Sequence, residues 1–251
     1  MLGEGIGTFL FLTLASLGPS SPSTSTSTSL DASLTLGASF TLATMLAGPG
    51  ALLNPALTTA TLVTRQMRLY SMYTCPPCSP VMLATLPARL LGQLAGALLA
   101  ATTLLYSSTM PAVITTATPS SSLTLLLAPP PTPQDLYPTI LHLLLASQLL
   151  ALLASASRGS PLYLGCSMAM VGHILGKPVA LATNPAREVA GRLVLLFYTG
   201  SGEVFLEGDS WASLLVTWTT LGALIGCLLH WILIEVTHLQ GKGSFKSRIK
   251  Q

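Results

Sequence analysis

Asn54-Pro55-Ala56 and Asn184-Pro185-Ala186 are identical tripeptides, one in each half of a 251-residue chain. An asparagine amide donates hydrogen bonds through its nitrogen and accepts them through its oxygen, so it can hold a passing polar oxygen without reacting with it. Proline suits the first turn of a helix, where its missing N–H costs nothing. Asparagine is a favoured cap just ahead of that turn. Two ordinary helix caps would also be read this way. Here, however, each tripeptide opens a short apolar piece at a matching place in the two halves, Ala51–Val63 and Val179–Tyr198.

The elements that position these pieces follow from composition. Only 8% of the residues are charged, 50% are hydrophobic and the mean hydropathy is +0.67, whereas a soluble domain carries about 25% charged residues. A soluble fold of this composition would expose apolar surface widely. A spanning helix takes roughly 20 apolar residues, which leaves room for about six or seven spans and no separate soluble domain. Apolar runs between breakers predict spans at Leu2–Leu17, Leu34–Ala47, Leu90–Tyr106, Leu136–Ser155, Leu162–Leu175 and Trp211–Val236. The order is span, span, half-helix, span, repeated once. This predicts an all-α membrane protein of six transmembrane helices and two re-entrant half-helices. It forms a single domain over 1–251, with inverted repeats at about 1–110 and 134–238 and a basic cytoplasmic tail at 239–251.

Non-helical backbone at membrane depth is tolerated only inside protein or beside a wet cavity. Two half-helices that meet at the midplane bring two positive dipole ends together, and that field repels cations, protons included. The asparagine amides would supply donors, and the carbonyls of Ala51–Leu53 and Leu181–Thr183 acceptors. The expected product is a narrow path for small neutral solutes, with no reaction, no cofactor, no metal and no nucleic-acid partner.

Six spans with both termini inside place Arg65, Arg68, Arg89, Arg158, Lys242, Lys246, Arg248 and Lys250 on the cytoplasmic side. Asp31, Asp135, Glu203, Glu207 and Asp209 fall outside, in keeping with the positive-inside rule. No basic leader or small-residue cleavage site marks the first segment, so it reads as a span rather than a signal peptide. The lack of an N-terminal tail points to an incomplete or trimmed chain. Gly18–Ser33 reads as a Ser/Thr/Pro-rich loop, Ser107–Pro133 as a loop closed by Pro129, Pro130 and Pro131, and Arg65–Pro80 as a polar loop. The Cys75-Pro-Pro-Cys78 spacing within that loop occurs in redox motifs, but it lacks their strand-to-helix setting. Gly92 and Gly96, like Gly222 and Gly226, have the small-xxx-small spacing of closely packed membrane helices. The tail from Lys242 to Lys250 reads as an orientation signal or a contact for anionic lipid.

On these residues the chain resembles the major intrinsic protein family, the aquaporins and aquaglyceroporins, over nearly its whole length. Further likeness lies in Glu4-Gly5-Ile6-Gly7-Thr8, in Gln93-Leu94-Ala95-Gly96 and in Gly222-Ala223-Leu224-Ile225-Gly226. The resemblance implies a homotetramer with one pore per subunit, in the plasma membrane rather than an internal one. Asn-Pro-Ala-Arg followed by Glu188, Arg192 and a long outer loop through Gly200, Gly202, Gly208 and Trp211 is similar to the aquaglyceroporin branch. Glu188 and Arg192 are also spaced to pair along a helix. Water and glycerol-like solutes are therefore the expected cargo.

The resemblance also assigns a selectivity constriction. Arg187 matches the family's constriction arginine, whose fixed donors and charge exclude cations. Counting without a gap puts Gly172 at the fifth-span position, where glycerol-passing members have glycine. A shift of one residue puts His173 there and narrows the path. Leu181 and Leu36 take the remaining places, Leu36 standing where an aromatic is usual. Glu4 matches a buried acid that braces the first half-helix, and the fourth span carries His142 at the corresponding place. The stretch before Asn54 is about two residues short and has Leu52 where histidine is common. Lys177-Pro178-Val179-Ala180 replaces a glycine-rich turn. These departures keep open a water-selective member or a divergent, poorly conducting one. A secondary active transporter is the rival from another class, and it requires buried ionisable groups near the midplane. Glu4, His142, His173 and Arg187 are the candidates for that role.

Overall fold

Apolar runs bounded by proline and glycine become helices because a bilayer leaves their backbone groups no other partners. The structure, a computed structural model, describes residues 1–17, 26–72, 84–112, 127, 132, 134–157 and 159–236. In chain order the helices are α1 (Leu2–Leu17), α2 (Thr26–Ala47), α3 (Pro55–Met72), α4 (Leu86–Ala112), α5 (Leu136–Ala156), α6 (Pro161–Leu175), α7 (Lys177–Ala182), α8 (Pro185–Thr199) and α9 (Glu203–His230). A π-helical turn, Trp231–Val236, continues α9. Among the described residues four stretches are long and apolar enough to cross a membrane: Leu30–Ala47, Leu86–Ser107, Leu136–Ala156 and Ala212–Leu233. Leu2–Leu17 and Pro161–Leu175 are shorter apolar helices.

The packing repeats itself between the halves. α1 packs on α2 and α4, just as α5 packs on α6 and α9. The half-helix α3 packs against α9 of the other half, and α8 packs against α4. α2 and α6 meet each other across the middle. Each half therefore lends its short helix to the wall of the other.

Lipid supplies no hydrophobic drive between helices, so close backbone approach must hold these pairs together. The four glycines of the small-xxx-small pairs sit at such crossings. A Cβ on Gly96 would collide with the Gly5 carbonyl, and one on Gly226 with the Gln148 carbonyl. Phe11 and Phe40 meet edge to face, with ring centroids 4.8 Å apart, and seal α1 to α2. Gly226→Val is expected to cost about 1–3 kcal/mol or more through overpacking. Gly202→Ala, where an added Cβ meets nothing within 4 Å, should be neutral. Thermal unfolding in detergent separates the two.

Several expected boundaries move. α2 starts at Thr26, inside the segment read as a loop. Its hydroxyls turn back onto helix carbonyls, Thr35 to Asp31 at 2.8 Å, Ser39 to Thr35 at 2.7 Å and Thr44 to Phe40 at 2.7 Å. Serine and threonine bonded in this way are compatible with a helix. α3 runs on to Met72 rather than ending at Val63. The long outer loop expected from Gly200 to Trp211 is also corrected. Gly200 closes α8 in the left-handed conformation at φ 70°, and α9 already begins at Glu203, whose N–H donates to Ser201 Oγ at 3.3 Å. An acid in the first turn suits the positive end of that helix. Cys75, Cys78 and the tail 239–251 lie outside the described residues.

Candidate functional site

Each tripeptide caps the helix it opens. Asn54 Oδ1 accepts from the Ala56 N–H at 2.9 Å and the Leu57 N–H at 3.4 Å. Asn184 Oδ1 accepts from the Ala186 N–H at 3.1 Å. Pro55 and Pro185 occupy the first helical positions of α3 and α8. These bonds satisfy N–H groups that a helix start leaves without partners.

The amide nitrogens do something that cap logic alone does not require. Asn54 Nδ2 donates to the Thr183 carbonyl at 3.0 Å, and Asn184 Nδ2 donates to the Leu53 carbonyl at 2.9 Å. Each asparagine thus grips the residue that precedes the other one. This reciprocal pair locks the two helix starts together with both side chains buried, Asn54 at 2% exposure and Asn184 at none. An amide nitrogen has two hydrogens, and the crossed bond takes one. The carbonyls of Leu53 and Thr183, expected as acceptors along the approach, each accept one bond from this lock.

The two loops that lead into the caps are held by different means. Residues 51–54 are non-helical, and Leu53 sits at φ 55°, the one non-glycine with positive φ among the described residues. Its N–H donates to Glu4 Oε2 at 3.1 Å. Glu4 Oε2 also accepts from Gln93 Nε2 at 2.9 Å, and Gln93 Nε2 reaches Thr58 Oγ1 of α3 at 2.8 Å. Glu4 therefore binds the loop that leads into α3. Arg89, Gln93 and Thr58 complete this network, and none of the three was expected as a site residue. A signal was present, because Arg89 and Gln93 are four residues apart and share a face of α4.

His142, expected at the corresponding place in the second half, is instead exposed on α5. The reason lies in α7. The Thr183 N–H donates to the Val179 carbonyl at 3.2 Å, and the Asn184 N–H to the Leu181 carbonyl at 3.2 Å. Thr183 Oγ1 closes the turn onto the Ala180 carbonyl at 2.7 Å. A helical lead-in satisfies its own amides and needs no acid behind it. Lys177-Pro178-Val179-Ala180, in place of a glycine-rich turn, is what makes that helix.

The residues that the resemblance assigns to a constriction are placed as follows. Leu36 and Gly172 are brought together, since a Cβ on Gly172 would lie 2.8 Å from Leu36 Cδ2 and 3.8 Å from Ala180 Cβ. Leu181, next to Ala180 on α7, is buried, while His173 is exposed on α6. Gly172, unlike its neighbour His173, is buried. Arg187 is buried at 7% exposure, and its Nη1 lies 2.7 Å from Glu188 Oε1, the carboxylate being fully buried. Arg187 also borders a small cavity between α1 and α4, lined by Leu12, Ser16, Ala97, Ala100, Ala101 and Leu104. Arg192 is fully buried one turn further along α8.

Six apolar helices around two further helices, α3 and α8, that meet at their N-termini define a polytopic membrane protein with re-entrant segments. The chain matches the family described as Major intrinsic protein across residues 1–232, and it belongs to that family. It is 31% identical over 93 residues to human Aquaporin-9, a match that covers 37% of this chain and 32% of that protein's length. Its fold is similar to the X-ray structure of the aquaglyceroporin from Plasmodium falciparum, with a TM-score of 0.70 and 16% sequence identity, covering 94% of this chain and 97% of the other. The protein is an integral, multi-pass membrane protein.

Proposed function

We propose that this chain is a passive channel for water and small neutral solutes such as glycerol, excluding ions and protons, with no chemical step. The observation that carries the proposal is the crossed asparagine lock between two helix N-termini. It aims two positive dipole ends at one buried point, where a cation or proton pays for lost hydration and a neutral oxygen finds a donor. Two relatives support the solute class: one is named an aquaporin and the other an aquaglyceroporin. On this reading Leu36, Gly172, Leu181 and Arg187 form the constriction. Glu4 braces the first half-helix, and Glu188 and Arg192 brace the second. The repeats run over about 1–110 and 134–238. The chain assembles as a homotetramer in the plasma membrane, with both termini cytoplasmic.

Purified protein in liposomes should equilibrate glycerol down its gradient and leave a proton gradient standing. Accumulation of solute against its own gradient would make it a coupled transporter instead.

A second reading, a water-selective path, draws on the contact of Leu36 with Gly172, which fills the room that glycine leaves. Under that reading Leu36→Ala should raise the ratio of glycerol to water flux by about tenfold or more, the usual effect of a few methylenes in a tight apolar passage. Under the first reading the ratio should change little. Stopped-flow light scattering of the two proteins decides between them.

A further inference from the structure

We propose that Arg89 is the positioning residue of the first half-helix, fastening the shortened loop before Asn54 to the buried carboxylate of Glu4. One guanidinium nitrogen does both parts of this. Arg89 Nη1 donates to the Gly50 carbonyl at 3.0 Å and to Glu4 Oε1 at 3.3 Å. The loop it ties down has few other fastenings. Gly48, Gly50 and Leu53 all have positive φ, at 95°, 79° and 55°. The backbone bond within the loop is the Ala51 N–H to the Gly48 carbonyl at 3.3 Å. An L-residue such as Leu53 stays in that conformation only when its surroundings impose it.

The fastening reaches the asparagine lock in short steps. Arg89 fixes Gly50 from outside and orients Glu4. Glu4 holds the Leu53 N–H. The carbonyl of the same Leu53 is the acceptor for Asn184. If the loop slackens, that carbonyl turns away and the lock between the halves opens from one side. The second half has no need of such a device, because α7 closes its own amides. Arg89 is partly exposed, with 32% of its side chain accessible. Its one nitrogen nevertheless joins acceptors of two different segments, the loop before α3 and the start of α1. The inference about flux rests on the channel reading, whereas the inference about the loop does not.

The test uses the full chain in liposomes, comparing wild type with Arg89→Met, Arg89→Gln and Arg89→Lys. Hydrogen–deuterium exchange is followed in the peptide that spans residues 48–58, alongside glycerol and water flux. Arg89→Met should speed exchange of this peptide by about tenfold or more, as expected when a local closing contact is lost, and lower both fluxes. Arg89→Gln, a milder variant in case the first does not fold, should fall between wild type and Arg89→Met. Because a single nitrogen makes both contacts, a lysine ammonium can replace it, and Arg89→Lys should exchange close to wild type. Wild-type exchange in both uncharged variants overturns the proposal, as does an Arg89→Lys protein that exchanges as fast as Arg89→Gln. Wild-type liposomes without flux would defeat the channel reading, and the exchange comparison would still decide the role of Arg89.

Discussion

Asn184→Ala is expected to reduce water and glycerol flux to below about a tenth of wild type, since it removes a cap and a buried cross-link together, worth roughly 2–5 kcal/mol in sum. The Ala186 N–H loses its acceptor and the Leu53 carbonyl loses its donor. At membrane depth neither group can turn to bulk water for replacement. The Leu53 carbonyl belongs to a residue already at φ 55°, so the loop is free to relax toward an ordinary conformation and obstruct the path. Asn54→Ala should behave alike through Ala56 and Thr183. The lock is shared, so the double substitution should cost clearly less than the sum of the singles. Flux and thermal unfolding, measured on the same three proteins, check both statements. Full additivity would mean that the two asparagines act as separate caps.

Glu4→Ala carries the second large effect. Three donors from two segments converge on this carboxylate: the Leu53 N–H of the loop, and Gln93 Nε2 and Arg89 Nη1 of α4. Its removal leaves the buried Leu53 N–H and Gln93 amide without this acceptor, at about 1–3 kcal/mol each, while the partly exposed pair with Arg89 adds little; much of the folded protein should be lost. Glu4→Gln keeps the shape but turns an N–H₂ toward one of these donors, so it should recover only part of the yield. His142→Ala is the control from the other half. His142 is exposed and bonds nothing in the α7 turn, so its loss should fall within about 0.5 kcal/mol of wild type. Yield of monodisperse protein and its unfolding temperature provide the comparison. Equal damage from both alanine substitutions would contradict the asymmetric bracing.

That asymmetry marks the limit of what residue order alone could convey. Apolar runs sufficed for the spans, because a bilayer demands length and little else. The asparagine caps were legible too, since capping is a local matter of Asn, Pro and the next turn. The crossed bonds were not, because they join residues 129 and 131 positions apart and depend on how two loops face each other. The start of α2 was missed because its Ser/Thr-rich stretch reads as a loop until its hydroxyls are seen to bond back along the helix. The start of α9 was missed because glycines and acids around Gly202 and Glu203 resemble a loop when their turn geometry is unknown. Arg89 was counted only as a cytoplasmic charge. Its work depends on Glu4 and Gly50, which lie 85 and 39 residues away.

His142 teaches the converse. The resemblance placed it where a buried acid is usual, and the loss of that acid read as decay. With α7 in view, the acid has become unnecessary, because Lys177–Ala182 folds into a turn that satisfies itself.

The central claim, that the locked helix starts form a path for neutral solutes, is tested most directly by stopped-flow light scattering of liposomes containing the purified chain. Outward gradients of water and of glycerol are applied in turn, with empty liposomes as the reference. The account predicts that both fluxes exceed the lipid background and that both fall together in Asn184→Ala. Neither flux above background in folded protein, or fluxes untouched by the loss of Asn184, would contradict it.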